Sequence, residues 1–175
     1  MSQDPLAAAL EWLDGRGPDL ETLLAQLVEI SSHTADKSGN DEVASALVGA
    51  ARALAGGAAA LDASVHLSPS GRYGHHVSMV TRAGRGEGAV LLVGHHDTVF
   101  PRATFAGFRE DGELLRGPGV LDMKGGLVVA VFALGALAQA GVLDRAPVRV
   151  VSVSDEEVGS PEGKQLVLEA ARGAA

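Results

Sequence analysis

The sequence predicts an α/β fold, in which helices pack on both faces of a mostly parallel or mixed sheet. Two observations support this fold class. Segments with apolar residues at helical spacing alternate along the chain with short apolar runs of strand length. Histidine and acidic residues come directly after two of these runs, which is where the loops of α/β proteins carry their functional groups.

Two helices are predicted in the first third of the chain. Pro18 in a first turn, with Asp19 beside it, opens a helix over residues 18–30. Asn40 is expected to cap a second helix, which ends at Gly56 and Gly57. Apolar residues recur every three or four positions in both segments: Leu20, Leu23, Leu24, Leu27 and Val28 in the first, and Val43, Ala46, Leu47, Ala50 and Leu54 in the second.

Strand patterns dominate the middle of the chain. Residues 63–67 and 76–81 alternate as half-buried strands do, and residues 84–88 form a turn. The continuous apolar run 89–93 predicts an interior strand that is covered on both faces. Residues 108–116 predict a small hairpin centred on Asp111 and Gly112.

The last third of the chain returns to alternating helix and strand. Residues 148–153 predict a second buried strand, and residues 160–162 are expected to form the cap and first turn of a final helix that ends at Arg172. The apolar segment 125–143 is almost long enough to cross a bilayer. We interpret it as a buried core helix, because it is rich in Gly and Ala and no cluster of basic residues flanks it.

Length and composition limit the class of protein. The chain has 175 residues, 46% of them hydrophobic, and a formal net charge of -8, which suits one globular domain and argues against a nucleic-acid surface. There is no cysteine, so a zinc ion would need histidine and carboxylate ligands. No secretion signal is expected at the start, and we expect a cytoplasmic location with small metabolites or peptides as partners.

The first functional segment is 94–99, at the end of an apolar run. Residues i and i+2 leaving a strand point to the same side, so His95 and Asp97 can face one cavity while His96 faces away. His95 could then bind a metal through one ring nitrogen while Asp97 accepts from the other. The alternative is a pair of loop histidines that bind nothing.

The second segment, 117–126, places Asp122 between a glycine-rich approach and Gly125-Gly126. A carboxylate on such a tight turn can bridge two cations, although an Asp before a helix is also the usual N-cap. A dinucleotide-binding interpretation has little support, because the Gly-x-Gly-x-x-Gly pattern is not completed after Gly119.

The third segment, 155–160, begins with three acids directly after a buried strand. Their mutual repulsion favours a divalent cation as a partner. Glu157 would bind a metal, and Glu156 would act as general base on a metal-bound water. A solvated acidic loop is the alternative.

Taken together, the three segments resemble the zinc-dependent family of acetylornithine deacetylase, succinyl-diaminopimelate desuccinylase and glutamate carboxypeptidase. The resemblance rests on Gly-His-x-Asp-Thr-Val at 94–99, Gly-x-Gly-x-x-Asp-Met-Lys-Gly-Gly at 117–126 and Asp-Glu-Glu-x-Gly-Ser at 155–160, in that order. It implies a metal-dependent hydrolase that cleaves an amide bond, as a peptidase, carboxypeptidase or N-acyl-amino-acid deacylase.

The resemblance also implies roles for individual residues. His95 would bind one metal, Glu157 the other, and Asp122 would bridge the two. Asp97 would orient His95, and Glu156 would be the base. The cofactors would be two divalent ions, zinc or alternatively cobalt, with a water bridging them, and the peptide bond after Asp122 would be cis.

Residues 1–175 would then be the amino-terminal portion of a catalytic domain, without the lid or dimerisation domain of the family. The family supplies a further acidic ligand and a late histidine, so only two ligands per metal are found here, and we expect weak metal binding and no competent hydrolysis by the chain alone. Its substrates would be small peptides or N-acyl amino acids, with no nucleic acid or membrane partner, and full-length members of the family are often homodimers. The alternative is a non-catalytic remnant or binding module of the same fold.

Overall fold

The computed structural model describes residues 4–57, 61–104 and 107–175. Five α-helices, six strands and a few short 3-10 or π turns make up the regular structure of these residues. The helices are α1 (Pro5–Leu13), α2 (Gly17–Glu29), α3 (Lys37–Leu54), α4 (Gly125–Gln139) and α5 (Gly163–Ala171). The strands are β1 (Leu61–His66), β2 (His76–Thr81), β3 (Val90–His95), β4 (Arg109–Asp111), β5 (Leu114–Arg116) and β6 (Val148–Val153).

Four strands form a mixed sheet in the order β1-β2-β6-β3. β1 and β6 both run antiparallel to β2, whereas β3 and β6 are parallel. The parallel pair is in a register that places His95 opposite Val153. The carboxyl ends of β3 and β6 therefore meet at one edge of the sheet, and the segments that follow them begin side by side. The predicted hairpin is also present, as the antiparallel pair β4-β5.

β3 is not the interior strand that its apolar sequence predicts. Its one partner among the described residues is β6, and Val90, Leu92 and Val93 are 51%, 41% and 50% exposed. An uninterrupted apolar run indicates burial on both faces but carries no information on whether a strand has one neighbour or two. β6, whose apolar residues are interrupted by Arg149 and Ser152, does lie between two strands.

Helices cover both faces of the sheet, as the sequence predicts. α3 packs on β1 and β2, α4 packs on β3, and α1, α2 and α3 pack against α4. On the face of the sheet that α3 and α4 cover, Met79 and Val150 belong to the main core, together with Leu27, Leu47 and Val131 of the helices. α5 contacts β6 and β3. Its Leu166 and Ala170 line a cavity with Val80 and Val151, whose side chains point to the opposite face of the sheet.

The helix starts differ in detail from the predictions. α3 is capped by Asp36, which accepts a hydrogen bond from the Gly39 amide, and Asn40 lies inside the helix. The side-chain amide of Asn40 instead donates to the carbonyls of His33 and Asp36. At the start of α5 the capping acceptor is Asp155, not Ser160. α1, capped by Asp4, was not predicted at all.

α4 is the segment whose composition resembles a membrane span. By length and hydropathy alone, one described stretch could cross a bilayer: Val120–Gln139, 20 residues with mean hydropathy 1.9. In this fold the helix lies among α1, α2 and α3, and it contributes Leu127, Val128 and Phe132 to the core. Its packing is that of the core helix which the sequence predicts, and the expectation of no membrane partner stays a prediction.

Candidate metal centre

His95 and His96 point in opposite directions from the end of β3. His95 is 5% exposed, and its Nε2 faces Asp122 Oδ1 at 2.9 Å. His96 is fully buried on the other side, where its Nδ1 lies 2.8 Å from Ser152 Oγ and its Nε2 donates to the His75 carbonyl at 3.0 Å. Strand alternation therefore separates the two histidines as the sequence predicts.

Asp97 is completely buried and both of its carboxylate oxygens are engaged. Oδ1 lies 3.3 Å from His95 Nδ1 and accepts from the Glu156 amide at 3.2 Å. Oδ2 accepts from Thr34 Oγ1 at 2.7 Å and from the Glu157 amide at 3.2 Å. Asp97 therefore joins the end of β3 to the turn that follows β6. It also contacts the nitrogen of His95 that faces away from Asp122, through its main-chain carbonyl at 3.1 Å as well as through its carboxylate.

Asp122 reaches His95 because its turn lies directly on β3. The backbone enters this turn through Gly119 with φ of 80°, and the Asp122–Met123 peptide is cis, as the family resemblance implies. A Cβ atom on Gly94 would lie only 2.8 Å from Met123 Cε, so the glycine leaves room for the turn. No hydrogen bond from Asp122 to a helix amide is found among the described residues, so the N-cap alternative has no support.

Glu156 and Glu157 lie on a short 3-10 turn, Glu156–Val158, two residues after β6. His95, Glu156 and Glu157 each offer one ligand atom, and these three atoms lie within 4.8 Å of one another. Glu156 Oε2 is 3.9 Å from His95 Nε2. One imidazole nitrogen thus faces carboxylates from two different segments of the chain.

Asp155 has a structural position and stands apart from the other two acids of its segment. It is fully buried, and its Oδ2 accepts from the amides of Glu162 and Gly163 at 2.8 and 3.0 Å. The amides at the start of α5 therefore compensate its charge. Of the three adjacent acids, only Glu156 and Glu157 face the metal group.

The electrostatics of the group favour a cation at His95. Burial disfavours the charged imidazolium, but the hydrogen bonds with Asp97 and Asp122 outweigh it and raise the pKa of His95 to about 9. Burial likewise opposes ionisation of Asp97, yet its bonds from His95, Thr34 and the Glu157 amide lower the pKa of its carboxyl. Burial and the nearby carboxylates of Asp97, Asp122 and Glu156 raise the pKa of Glu157.

These residues fit a divalent metal ion by their chemistry as well as by their positions. An imidazole nitrogen surrounded by carboxylates is a donor set that zinc accepts. The acids crowd one another, and a cation is the partner that relieves their repulsion. Asp97 accepts at the far ring nitrogen, an arrangement that leaves Nε2 of His95 available as a ligand.

Two open cavities border the group on different sides. One, of about 420 Å³, is lined by Glu157 together with His33, Thr34, Arg72, Tyr73 and Val99. The other, of about 380 Å³, is lined by His95 and Glu156 together with Met123, Val153 and Leu168. A small molecule bound in either cavity would lie beside the carboxylates.

Two residues that support the site are given no role by the sequence analysis, although Lys124 lies within the second motif. Thr34 lies before α3 and donates to Asp97 across 63 positions of the chain. Lys124 is fully buried, and its Nζ donates to the carbonyls of Leu27 and Ile30 at the end of α2, at 2.8 and 3.0 Å. Burial lowers the pKa of Lys124 to about 8. Through these two hydrogen bonds, the ammonium group of Lys124 connects the turn on which Asp122 lies with the end of α2.

The comparisons with known proteins agree with the motifs. Residues 91–175, which contain all three motifs, match the model of peptidase family M20/M25/M40. The match covers 85 of the 175 residues, and these residues are similar to that family. The resemblance inferred from the motifs is thereby confirmed, and M20 metallopeptidases use divalent metal ions.

One curated relative and two solved structures show the extent of the similarity. Carboxypeptidase G2 from a Pseudomonas species (strain RS-16) is 38% identical over 91 residues, which are 51% of this chain and 22% of that protein. Human carnosine dipeptidase 1 superposes with a TM-score of 0.78 at 15% identity, over 97% of this chain and 39% of that one. An M20 family metallo-carboxypeptidase from Sulfolobus solfataricus superposes with a TM-score of 0.68 at 19% identity. The superposition covers 88% of this chain and 35% of that one. The chain therefore shares the fold of these two structures, and it spans less than half the length of each of the three proteins.

Proposed function

We propose that this chain is the amino-terminal part of the catalytic domain of a metal-dependent amide hydrolase. Its reaction would be that of a peptidase, a carboxypeptidase or an N-acyl-amino-acid deacylase. The observation that supports this proposal is the convergence of His95, Glu156 and Glu157 within 4.8 Å, with Asp122 also on His95, in the segment that matches the peptidase family.

The proposed centre holds two divalent ions, zinc or alternatively cobalt. His95 would hold one ion and Glu157 the other, and Asp122 would be a ligand to both. When bound, the ions lower the pKa of the attacking water and polarise the amide carbonyl. Asp97 keeps His95 oriented with Nε2 toward the metal position, through its contact with Nδ1.

Glu156 is the proposed base. Its side chain is exposed beside the group, and its Oε2 lies 3.9 Å from His95 Nε2. The carboxylate takes a proton from the attacking water as the new C–O bond forms. It then delivers that proton to the amide nitrogen as the C–N bond breaks, so that the products are a carboxylic acid and an amine.

The proposed substrates are small peptides or N-acyl amino acids, for which the two cavities beside the carboxylates offer space. The net charge of -8 supports the proposal that nucleic acid is not a partner. We further propose a cytoplasmic location, no membrane partner, and a homodimer in the complete protein.

The ligand count limits what the 175 residues can do alone. Each ion would have two protein ligands, His95 with Asp122 and Asp122 with Glu157, where catalytic zinc sites have three. We therefore expect weak metal binding and no steady hydrolysis by these residues by themselves. A product of the reading frame that also supplies the missing ligands would be active.

The experiment measures zinc content and hydrolysis for the 175-residue chain and for any longer product of its reading frame. A panel of dipeptides and N-acyl amino acids serves as substrate, and release of the free amine is followed. We expect hydrolysis that a chelator abolishes and zinc restores, in the longer product only. Failure of the longer product to bind zinc would refute the proposed function, whereas two tightly bound zinc ions and steady turnover in the 175-residue chain would refute its incompleteness.

A further inference from the structure

We propose that Thr34 is a positioning residue of the metal centre. Its hydroxyl would hold the Asp97 carboxylate in the orientation in which Asp97 contacts His95 and the amides of Glu156 and Glu157. This inference rests on the proposed function of the same site. It assigns a role to a residue outside the three motifs and outside the segment that matches the peptidase family.

The contact itself is short and shielded from water. Thr34 is 3% exposed, Asp97 is fully buried, and Thr34 Oγ1 donates to Asp97 Oδ2 at 2.7 Å. A hydrogen bond to a charged group is stronger than one between neutral groups, and a buried carboxylate that loses a donor has no water to replace it. The hydroxyl of Thr34 therefore has a measurable influence on how Asp97 is held.

The backbone of Thr34 is fixed independently of its side chain. The Thr34 amide donates to the Thr98 carbonyl at 3.2 Å, and the Thr98 amide donates to the Ser32 carbonyl at 2.8 Å. Nearby, Ser32 Oγ donates to the His96 carbonyl at 2.7 Å. These bonds join residues 32–34 to residues 96–98 as a short parallel pair. A side chain of the same shape without the hydroxyl would keep this pairing and lose only the bond to Asp97.

Loss of the bond from Thr34 would change the metal position indirectly, by changing how Asp97 is held. Its Oδ2 accepts from Thr34 and from the Glu157 amide, while Oδ1 accepts from the Glu156 amide and faces His95 Nδ1. With Thr34 Oγ1 removed, the carboxylate keeps the two amide donors and the contact with His95, but Oδ2 loses the shorter of its two hydrogen bonds and is held less firmly. Its contact with His95 Nδ1 then loosens, and so does the turn that carries both glutamates. A purely structural hydroxyl would change stability without changing His95.

The experiment compares Thr34→Val with Thr34→Ser and with a matched control. Thr98→Val is that control, because Thr98 is buried in the same segment and its Oγ1 has no hydrogen-bond partner among the described residues. The probe is the zinc ion alone, and its Kd is measured by competition with a chromophoric chelator. In the metal-free protein, nitrogen NMR of the His95 ring reports the contact with Asp97.

We expect Thr34→Val to weaken zinc binding by about 10-fold and to shift the His95 ring signals, as loss of support behind a metal ligand does. Thr34→Ser and Thr98→Val should stay close to the parent in both measurements. An unchanged Kd together with unchanged His95 signals in a folded Thr34→Val protein would overturn the inference. Equal losses in Thr34→Val and Thr98→Val would overturn it too, since packing would then be the cause.

A second pair of variants covers the case in which Thr34→Val does not fold. Thr34→Ser and Thr34→Ala both lack the methyl group and differ only in the hydroxyl, so a difference in His95 signals between them supports the inference and identical signals refute it. A failure of this inference can be distinguished from a failure of the proposed function. A longer product that binds no zinc defeats the proposed function, while the His95 signals of the metal-free 175-residue chain still decide the role of Thr34.

Discussion

Two adjacent histidines have opposite electrostatic environments in this protein. His95 lies among carboxylates, which raise its pKa to about 9 despite burial. Burial is the largest cause that lowers the pKa of His96 to about 3, and the charges of His76 and Lys124 act in the same direction, although the Asp97 charge opposes them. The alternation of a β-strand is sufficient to produce this difference between neighbours. Only His95 can therefore exchange a proton for a metal ion near neutral pH.

The pKa of His96 predicts a loss of stability in acid. Its pKa in the folded protein, about 3, lies below the usual 6.5, so the unfolded chain binds the proton more readily. The contribution is present in full above pH 6.5 and is lost as the pH falls toward 3. We expect the free energy of unfolding, measured with urea at pH 7 and pH 5, to fall less in His96→Gln than in the parent. The same fall in both proteins would contradict this expectation.

Glu156→Gln separates catalysis from metal binding. The substitution keeps the size of the side chain and removes its ability to take a proton. In the complete protein we expect turnover to fall by about 10²–10⁴-fold with zinc content unchanged. Asp155→Asn is not a suitable control, because Asp155 caps α5. Glu21→Gln, the same change at an exposed position of α2 outside the three motifs, is preferable and should retain most activity.

At the scale of single elements, the sequence predicts where helices lie better than how they begin. The apolar face of α3 identifies the helix, but three polar residues near its start, Asp36, Ser38 and Asn40, could each cap it. Asp36 is the cap because of how the preceding loop, which includes Ser31, packs against the start of the helix. That packing is a tertiary contact, which the local sequence does not reveal. Gly39 shows this approach, because a Cβ atom there would lie 1.7 Å from the Ser31 carbonyl oxygen.

Two glycines of α3 give a matched test of this close approach. Gly39→Ala forces the backbone of Ser31 to move, and we expect it to lower the free energy of unfolding by about 2 kcal/mol or more. Gly49 is exposed on the same helix, with no atom within 4 Å of an added Cβ. Gly49→Ala should therefore raise the free energy of unfolding by about 0.8 kcal/mol. Urea unfolding of both variants shows whether the two free energies of unfolding change in opposite directions. Destabilisation by both substitutions would contradict this explanation.

At the scale of the whole molecule, the order of the segments was enough to predict the candidate site in outline. His95 and the two glutamates follow strands that turn out to be parallel neighbours, so the sheet itself brings them together. Thr34 and Lys124 could not be predicted in this way. Their partners lie 63 and 97 positions away, and although Lys124 lies in the second motif, neither residue forms part of a periodic pattern that would reveal its contact.

The edge position of β3, also a property of the whole molecule, predicts self-association. Val90, Leu92 and Val93 are exposed on a strand that has one partner among the described residues. An apolar strand edge of this kind is a template for pairing with another chain. We expect concentration-dependent association of the 175-residue chain in sedimentation experiments, and Val93→Lys should reduce it.

The control for that experiment is Leu67→Lys. Leu67 is 73% exposed and lies outside the strands, so the same change in charge is introduced away from the edge. Association that persists in Leu67→Lys and disappears in Val93→Lys would locate the contact at β3. An equal reduction by both variants would attribute the effect to net charge instead.

The buried ammonium of Lys124 has a consequence for where this protein can be cut. The segment that matches the peptidase family begins at residue 91, yet the two carbonyls that hold Lys124 belong to Leu27 and Ile30. A fragment trimmed to the family boundary would keep every proposed metal ligand and leave a cation in the core without an acceptor. The boundary of sequence similarity is therefore not a boundary of folding, and any attempt to express or transplant the three motifs has to carry the first helices with them.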